Sequence, residues 1–539
     1  MSHSDERVRP RTRRLSILNL PNELLIAIFG FRKGPTGLCE LSYHEPLPDV
    51  SDIKSIRLTC RRFCETSSHL LLHALPVYIT RPSLARLDEV SRHPTISRGV
   101  RLIKLYLDPF YDSVIARDLQ AFAYDRASSV RQAISFWRFC SQHRFHSDPP
   151  PEFFHDAIPG AIALAESLEG LARRGINTNR ADHRLISKAH QLYSKLHDDQ
   201  MDMTASLGRV IASAMKRMPT ATWLRIKDQN VRDDKSSGWG YFLAPDDLND
   251  DDLVIDRLIA PIDWLDTKQH KISPRPLKII RELFLSLQQL NFPLAGLDID
   301  TTAPVTSCLD PEHETKYGQA ALSSTFKQLK SVKFFPIPFH PERLRQTKAE
   351  GIATLISFLR TMLHTQSLQK IELKFFMMFP THFAPPSMAP PLLSYRWPNL
   401  KVLDFDGPFH FEELKAIVKH LPQEVELSWV GHLLSGSWID VLDILRERKS
   451  RTQKVGDHHG SARGQECQEM KQEEKRFIFL GNWKHMYGQY DECKPDSLAT
   501  RYIQGWIPTN PVRDWSLGQL DMSKPREGDE RWIDEHLVV

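Results

Sequence analysis

A short phrase with apolar residues at its first, fourth and sixth positions recurs along this chain of 539 residues. The clear copies begin at Leu294, Leu329, Leu368 and Leu400. Successive copies are 35, 39 and 32 positions apart, and related phrases lie at 100–105, 223–226 and 425–427. Apolar residues at helical spacing fill the segments Pro276–Leu290, Gly351–His364, Phe411–Leu421 and Trp438–Arg448. The pattern predicts repeated units of one strand followed by one helix.

A unit of this size cannot bury its own apolar face and must stack on its neighbours. The spacing is longer and less regular than the roughly 20–29 residues of a standard leucine-rich repeat. We therefore predict an α/β fold in which an irregular leucine-rich-repeat-like strand-helix solenoid spans residues 221–450. The alternative is a set of unrelated strand-helix units in an ordinary doubly wound sheet, because such phrases are common in strand-rich chains.

The composition indicates which partners and compartment to expect. Hydrophobic residues make up 41% and charged residues 26% of the chain, as in ordinary folded proteins. The 71 basic and 67 acidic residues nearly cancel, so we expect no nucleic-acid partner. Eighteen apolar residues never run together, so we expect no membrane partner. Seven sparse cysteines and a polar N-terminus indicate reduced thiols and a cytoplasmic or nuclear location, or both.

The first eighty residues have a pattern of their own. Pro21 and Glu23 suit the first turn of a helix, and Leu24, Leu25, Ile28 and Phe29 follow on one apolar face. A second amphipathic piece occupies residues 52–58, and Thr59 can cap a third helix that carries the cysteines at 60 and 64. Residues 30–51 are rich in proline, glycine and polar residues and predict a loop.

Two phrases in this region, LNLPNELLIAIF at 18–29 and DIKSIRLTCRRFC at 52–64, resemble the F-box of fungal-type F-box proteins. The resemblance covers about residues 15–80, with a longer loop at 30–51 than that family usually has. It implies a three-helix module that docks a Skp-type adaptor and, through it, a cullin and a RING subunit. The adaptor-binding residues that the resemblance implies are Leu20, Pro21, Leu24, Leu25, Ile28, Phe29, Ile53, Ile56, Leu58, Cys60, Arg61 and Phe63.

The resemblance and the repeats together predict a non-catalytic, substrate-recognition subunit of an SCF-type cullin-RING ubiquitin ligase. The solenoid would bind an unknown target protein, and ubiquitin transfer would occur on other subunits. We expect no cofactor. The alternative is a stand-alone leucine-rich-repeat interaction scaffold without ligase function, in which the F-box-like helices are only a structural cap.

Enzyme-like motifs are few. Asp298 and Asp300 stand in a phrase that resembles the nucleophile motif of haloacid-dehalogenase-type phosphotransferases. Asp404 and Asp406 hold the same place in another unit, so acidic residues at repeat strand ends explain both phrases and we predict no catalytic residue. The cysteine pair 60 and 64 has no second pair at zinc-ligand spacing, so we predict no metal site.

The chain therefore divides into seven predicted segments. They are a disordered basic tail (1–14), the F-box (15–80), a mostly helical region leading into the repeats (81–220), the solenoid (221–450), a disordered insert (451–476), an ordered C-terminal segment (477–515) and a polar tail (516–539).

Overall fold

A computed structural model describes most of the chain. The described residues are 17–29, 50–107, 111, 113–143, 151–174, 181–204, 206–227, 250–259, 275–301, 322–335, 349–375, 387–431, 433–448, 454–456, 478–479, 498–503, 505 and 507–520. The predicted basic tail, most of the predicted loop 30–51 and insert 451–476, and the end of the polar tail lie outside them. Within the described residues, no helix is both long and apolar enough to cross a bilayer.

The described strands form a parallel sheet whose order follows the chain. Its nine members are β1 (Ala74–Tyr78), β2 (Leu102–Tyr106), β3 (Trp223–Lys227), β4 (Gly296–Asp300), β5 (Ser331–Phe334), β6 (Lys370–Lys374), β7 (Val402–Asp406), β9 (Glu426–Val430) and β11 (Lys454–Gly456). A separate parallel pair joins β8 (Phe409–His410) to β10 (Leu433–Ser435). The fold is therefore mixed α/β. Strands of the nine-stranded sheet that follow one another along the chain also lie side by side in the sheet.

Each copy of the apolar phrase contains one of these strands, as the spacing predicts. The order contains no reversal among the described strands, whereas a doubly wound sheet reverses its strand order at one point. One boundary needs correction. The sheet begins at residue 74 and not at 221, because β1 and β2 pair in register with β3 through the phrase at 100–105.

Helices connect the strands and cover one face of the sheet. They are Arg81–Arg92, Leu207–Arg217, Arg275–Gln289, a short helix at 322–326, Ala349–Leu363, Pro390–Leu393, Phe411–His420 and Trp438–Glu447. Alternate strand residues, such as Leu224 and Ile226, are fully buried against these helices in the main core. Gly208 permits one close helix contact, because a Cβ there would lie 2.7 Å from the backbone nitrogen of Leu283.

A second core lies in a helical unit formed by helices Ser113–Arg117, Leu119–His143, Pro151–Arg174, Ala181–Thr204 and Asp251–Leu258. Residues 81–220 are mostly helical, as predicted, but they also contain β2 of the sheet. Residues 113–204 are an insertion between β2 and helix Leu207–Arg217, which packs in the main core and makes the crossover to β3.

The C-terminal part of the chain packs on the last helix of the sheet. Helices Leu498–Ile503 and Pro511–Ser516 contribute to the main core, as expected for an ordered segment. The Asp443 carboxylate accepts hydrogen bonds from the Tyr502 hydroxyl at 2.6 Å, Asn510 Nδ2 at 2.8 Å and Arg513 Nη2 at 2.7 Å. The predicted disordered insert 451–476 also contains order, because β11 pairs with β9.

Candidate functional site

The N-terminal module begins with a 3-10 turn (Ile17–Asn19) and contains three short helices: α1 (Asn22–Phe29), α2 (Val50–Thr59) and α3 (Arg61–Ser67). Cys60, rather than Thr59, is the N-cap of α3, and its Sγ accepts a hydrogen bond from the backbone N–H of Phe63 at 3.5 Å. The Thr59 hydroxyl instead donates to the carbonyl of Ile56 at 2.7 Å. The prediction of Thr59 as the cap is therefore wrong by one residue.

The interior of the module is small and apolar. Leu25 and Ile53 are buried, and the ring of Phe29 meets that of Phe63 edge to face with 5.0 Å between centroids. These contacts join α1 to α3. Because an eight-residue helix is not stable alone in water, α1 depends on this packing.

Arg62 fixes the start of α1 against α3. Its Nε and Nη2 donate to Asn22 Oδ1 at 3.1 and 3.0 Å, and Nη2 also donates to the Leu20 carbonyl at 2.5 Å. Nη1 donates to the Leu18 carbonyl. The planar guanidinium therefore donates to three acceptors at once, which are the carbonyl oxygens of Leu18 and Leu20 and the side-chain oxygen of Asn22. Sequence reasoning named Arg61 and missed Arg62, because a repeated Arg-Arg does not show which side chain points inward.

The outer surface of the module carries exposed apolar side chains. Leu24 and Ile28 lie one helical turn apart on α1, with 50% and 48% of their surface exposed, and Leu58 on α2 is 87% exposed. Twelve large hydrophobic residues are exposed in the described part of the chain, and six of them belong to the module. The six are Ile17, Leu18, Leu24, Ile28, Val50 and Leu58, which we call the apolar surface. Exposed large hydrophobic residues concentrated in one small module are typical of a segment that binds a partner.

The twelve residues that the resemblance implies fall into three groups. The exposed group is Pro21, Leu24, Ile28, Leu58 and Arg61. The half-buried group is Leu20, Ile56, Cys60 and Phe63. The buried group is Leu25, Phe29 and Ile53. The buried group holds the helices together from behind, whereas the exposed group and the unpredicted Ile17, Leu18 and Val50 lie at the surface.

A second surface is the side of the sheet opposite its helices, which carries pairs of opposite charge on adjacent strands. Arg225 Nε lies 2.5 Å from Asp298 Oδ2, and Lys374 Nζ lies 3.2 Å from Asp404 Oδ2. Burial raises the pKa of the Asp298 carboxyl, although the charge of Arg225 opposes this shift. Asp300 likewise pairs with a lysine of β3 at 2.9 Å. These aspartates therefore act in cross-strand ion pairs.

No group of three histidine, cysteine or acidic residues that could hold a metal ion occurs in the described part of the chain. Comparison with known proteins found no matching family model, no matching curated protein and no matching solved structure.

Proposed function

We propose that this chain is a substrate receptor of an SCF-type cullin-RING ubiquitin ligase. Residues 15–80 would be an F-box that docks a Skp-type adaptor, and through it a cullin, by means of the apolar surface. The sheet and its helices would be a leucine-rich-repeat-like solenoid that binds a target protein. Proximity of the target to the charged ubiquitin carrier would then promote transfer without any catalytic residue in this chain.

The apolar surface is the observation that carries the proposal. Half of the exposed large hydrophobic residues among the described positions lie in a module of three short helices. Exposing leucine and isoleucine to water costs free energy that binding a partner recovers, at about 1.5–3 kcal/mol for each side chain that becomes fully buried. Four of the six, Leu18, Leu24, Ile28 and Leu58, lie in the two F-box-like phrases, which favours a Skp-type adaptor as that partner.

The order of the strands supports the solenoid. Each unit contributes one strand to the sheet and one helix or short helical segment to its covered face, and the next unit follows beside it. Repeat proteins of this kind use an extended sheet surface for recognition. The side of this sheet opposite the helices carries cross-strand ion pairs of both signs, and the partly exposed pair of Lys374 and Asp404 would suit a protein target with mixed charge.

The test is adaptor binding by variants that change only the apolar surface. Leu24→Asp and Ile28→Asp each place a carboxylate in the proposed contact, so we expect adaptor affinity to fall by about 100-fold or more. Both residues are half exposed, so the module should stay folded. Purified full-length chain and a Skp-type adaptor would be compared by isothermal titration calorimetry.

The matched control is Val114→Asp, because Val114 is 47% exposed in the helical unit and lies outside the module. This variant should bind the adaptor like the wild type. Failure of the wild-type chain to bind, or equal loss for Val114→Asp, would contradict the receptor role and favour the stand-alone scaffold. Leu25→Asp is unsuitable as a test, because Leu25 is fully buried and its substitution would unfold the module.

A further inference from the structure

A cavity of about 470 Å³ opens on the helical side of the fold, between residues 392–397 and helix Phe411–His420. Its floor is apolar and consists of side chains that are almost fully buried. They are Leu392, Trp397, Ile417 and Leu421. The volume lies within the roughly 300–1,000 Å³ of ligand-binding clefts. We call this feature the helical-side groove.

The groove is preformed. The indole N–H of Trp397 donates to the carbonyl of Leu363 at 2.9 Å, which fixes the ring in the floor. The ring of Tyr395 lies between Trp397 and His364, with centroid distances of 6.3 and 4.6 Å. Leu393, at the mouth, keeps 44% of its surface exposed. Aromatic walls and an exposed leucine suit an aromatic or large aliphatic guest.

The polar rim of the groove is basic. Its lining includes Arg396 and His420 and no acidic residue. Both are exposed, and neither has an ion-pair partner among the described residues. The carboxyl end of helix Phe411–His420 contributes about half a negative charge, which offsets only part of the charge of Arg396. An anionic group beside the apolar guest is therefore favoured.

We propose that the helical-side groove binds a short acidic peptide segment of a partner protein, in which an aromatic or large aliphatic side chain enters the cavity. Aspartate or glutamate beside that side chain would meet Arg396 and His420. The rim residues Arg396 and His420 are exposed, so a peptide can reach the cavity from the surface. That the bound partner is the target for ubiquitin transfer rests on the proposed function. Peptide binding itself does not need the adaptor.

The experiment is fluorescence polarisation with the full-length chain and fluorescein-labelled octapeptides. The probe is Gly-Glu-Glu-Leu-Trp-Glu-Glu-Gly, and the comparison peptides replace every glutamate by lysine or replace the Leu-Trp pair by Ser-Ser. The first peptide should bind saturably and both comparison peptides at least tenfold more weakly. Arg396→Glu should weaken binding of the probe about tenfold, and Leu393→Ser about threefold or more.

Lys216→Glu is the matched control, because Lys216 is an exposed cation on another helix and the net charge changes equally. It should bind within twofold of the wild type, as should the adaptor-surface variant Leu24→Asp. Equal binding of the lysine peptide, an unchanged Arg396→Glu affinity, or binding of free benzoate without any peptide binding would overturn the proposal. Loss of adaptor binding with retained peptide binding would overturn only the ligase role.

Discussion

Arg62→Ala tests whether one side chain holds α1 in place. The substitution removes four hydrogen bonds from the guanidinium, to the carbonyls of Leu18 and Leu20 and twice to Asn22 Oδ1. The apolar contact between Phe29 and Phe63 remains. The variant therefore separates the polar attachment of α1 from its packing.

The free energy that Arg62→Ala should remove from the attachment of α1 depends on how exposed these hydrogen bonds are. Hydrogen bonds to charged groups contribute more than neutral ones, but Arg62 is only half-buried, so a discounted value of about 0.5–1 kcal/mol each is appropriate. Four bonds then give about 2–4 kcal/mol. Since about 1.4 kcal/mol corresponds to a tenfold change in an equilibrium constant, opening of α1 should become about 30- to 700-fold more favourable.

Hydrogen exchange followed by mass spectrometry measures this opening directly. Backbone amides at 25–29 should exchange at least about 30-fold faster in Arg62→Ala, and those of the sheet should not change. Arg61→Ala is the matched control, because the Arg61 guanidinium is 93% exposed and its ion-pair partner among the described residues is Glu65, one turn away. Exchange within twofold of the wild type in Arg62→Ala, or an equal effect of Arg61→Ala, would refute the reasoning.

Two further substitutions probe the sheet and its C-terminal end. Asp443→Ala removes the acceptor shared by Tyr502, Asn510 and Arg513 and should lower the free energy of unfolding by about 2–4 kcal/mol in urea titrations. The exposed Asp440→Ala should cost less than about 1 kcal/mol, and equal losses would contradict the shared role. Burial raises the pKa of Asp298 in the folded state, so its contribution to stability is greatest below about pH 4 and declines as pH rises through the folded-state pKa. Asp298→Asn should therefore become more favourable relative to wild type as the pH rises from about 4 to 7 in the same titrations, and a difference independent of pH would contradict this.

The sheet was predictable because its signal repeats. Leucine phrases such as those at 368–373 and 400–405 mark strands, and the helical spacing that follows each one marks its connection. The start of the sheet at residue 74 was missed, because β1 has a Val-Tyr strand composition but no full copy of the phrase. The insertion at 113–204 also separates β2 from its partner β3 in sequence, so the spacing of the phrases did not predict that these two strands pair.

The site was only partly predictable, because an apolar helix has an inner and an outer face. Leu24 and Leu25 are adjacent and chemically identical, yet one is half exposed and the other is fully buried. The side of α1 that faces α3 is set by the Phe29–Phe63 contact and by Arg62, which connect residues far apart in the chain. The helical-side groove gave no sequence signal, because its floor residues have the ordinary spacing of a core.

The helical insertion has a consequence for how the molecule responds to heat or denaturant. Its core is distinct from that of the sheet, and its links to the sheet include the ion pair of Arg81 with Asp199 at 2.9 Å and the packing of Met203 against the main core. The crossover to β3 keeps its own helix, Leu207–Arg217. Loss of order in the insertion therefore does not require loss of the strand ladder. We therefore expect the two cores to unfold as separate cooperative units, so that calorimetry of this chain would show more than one transition.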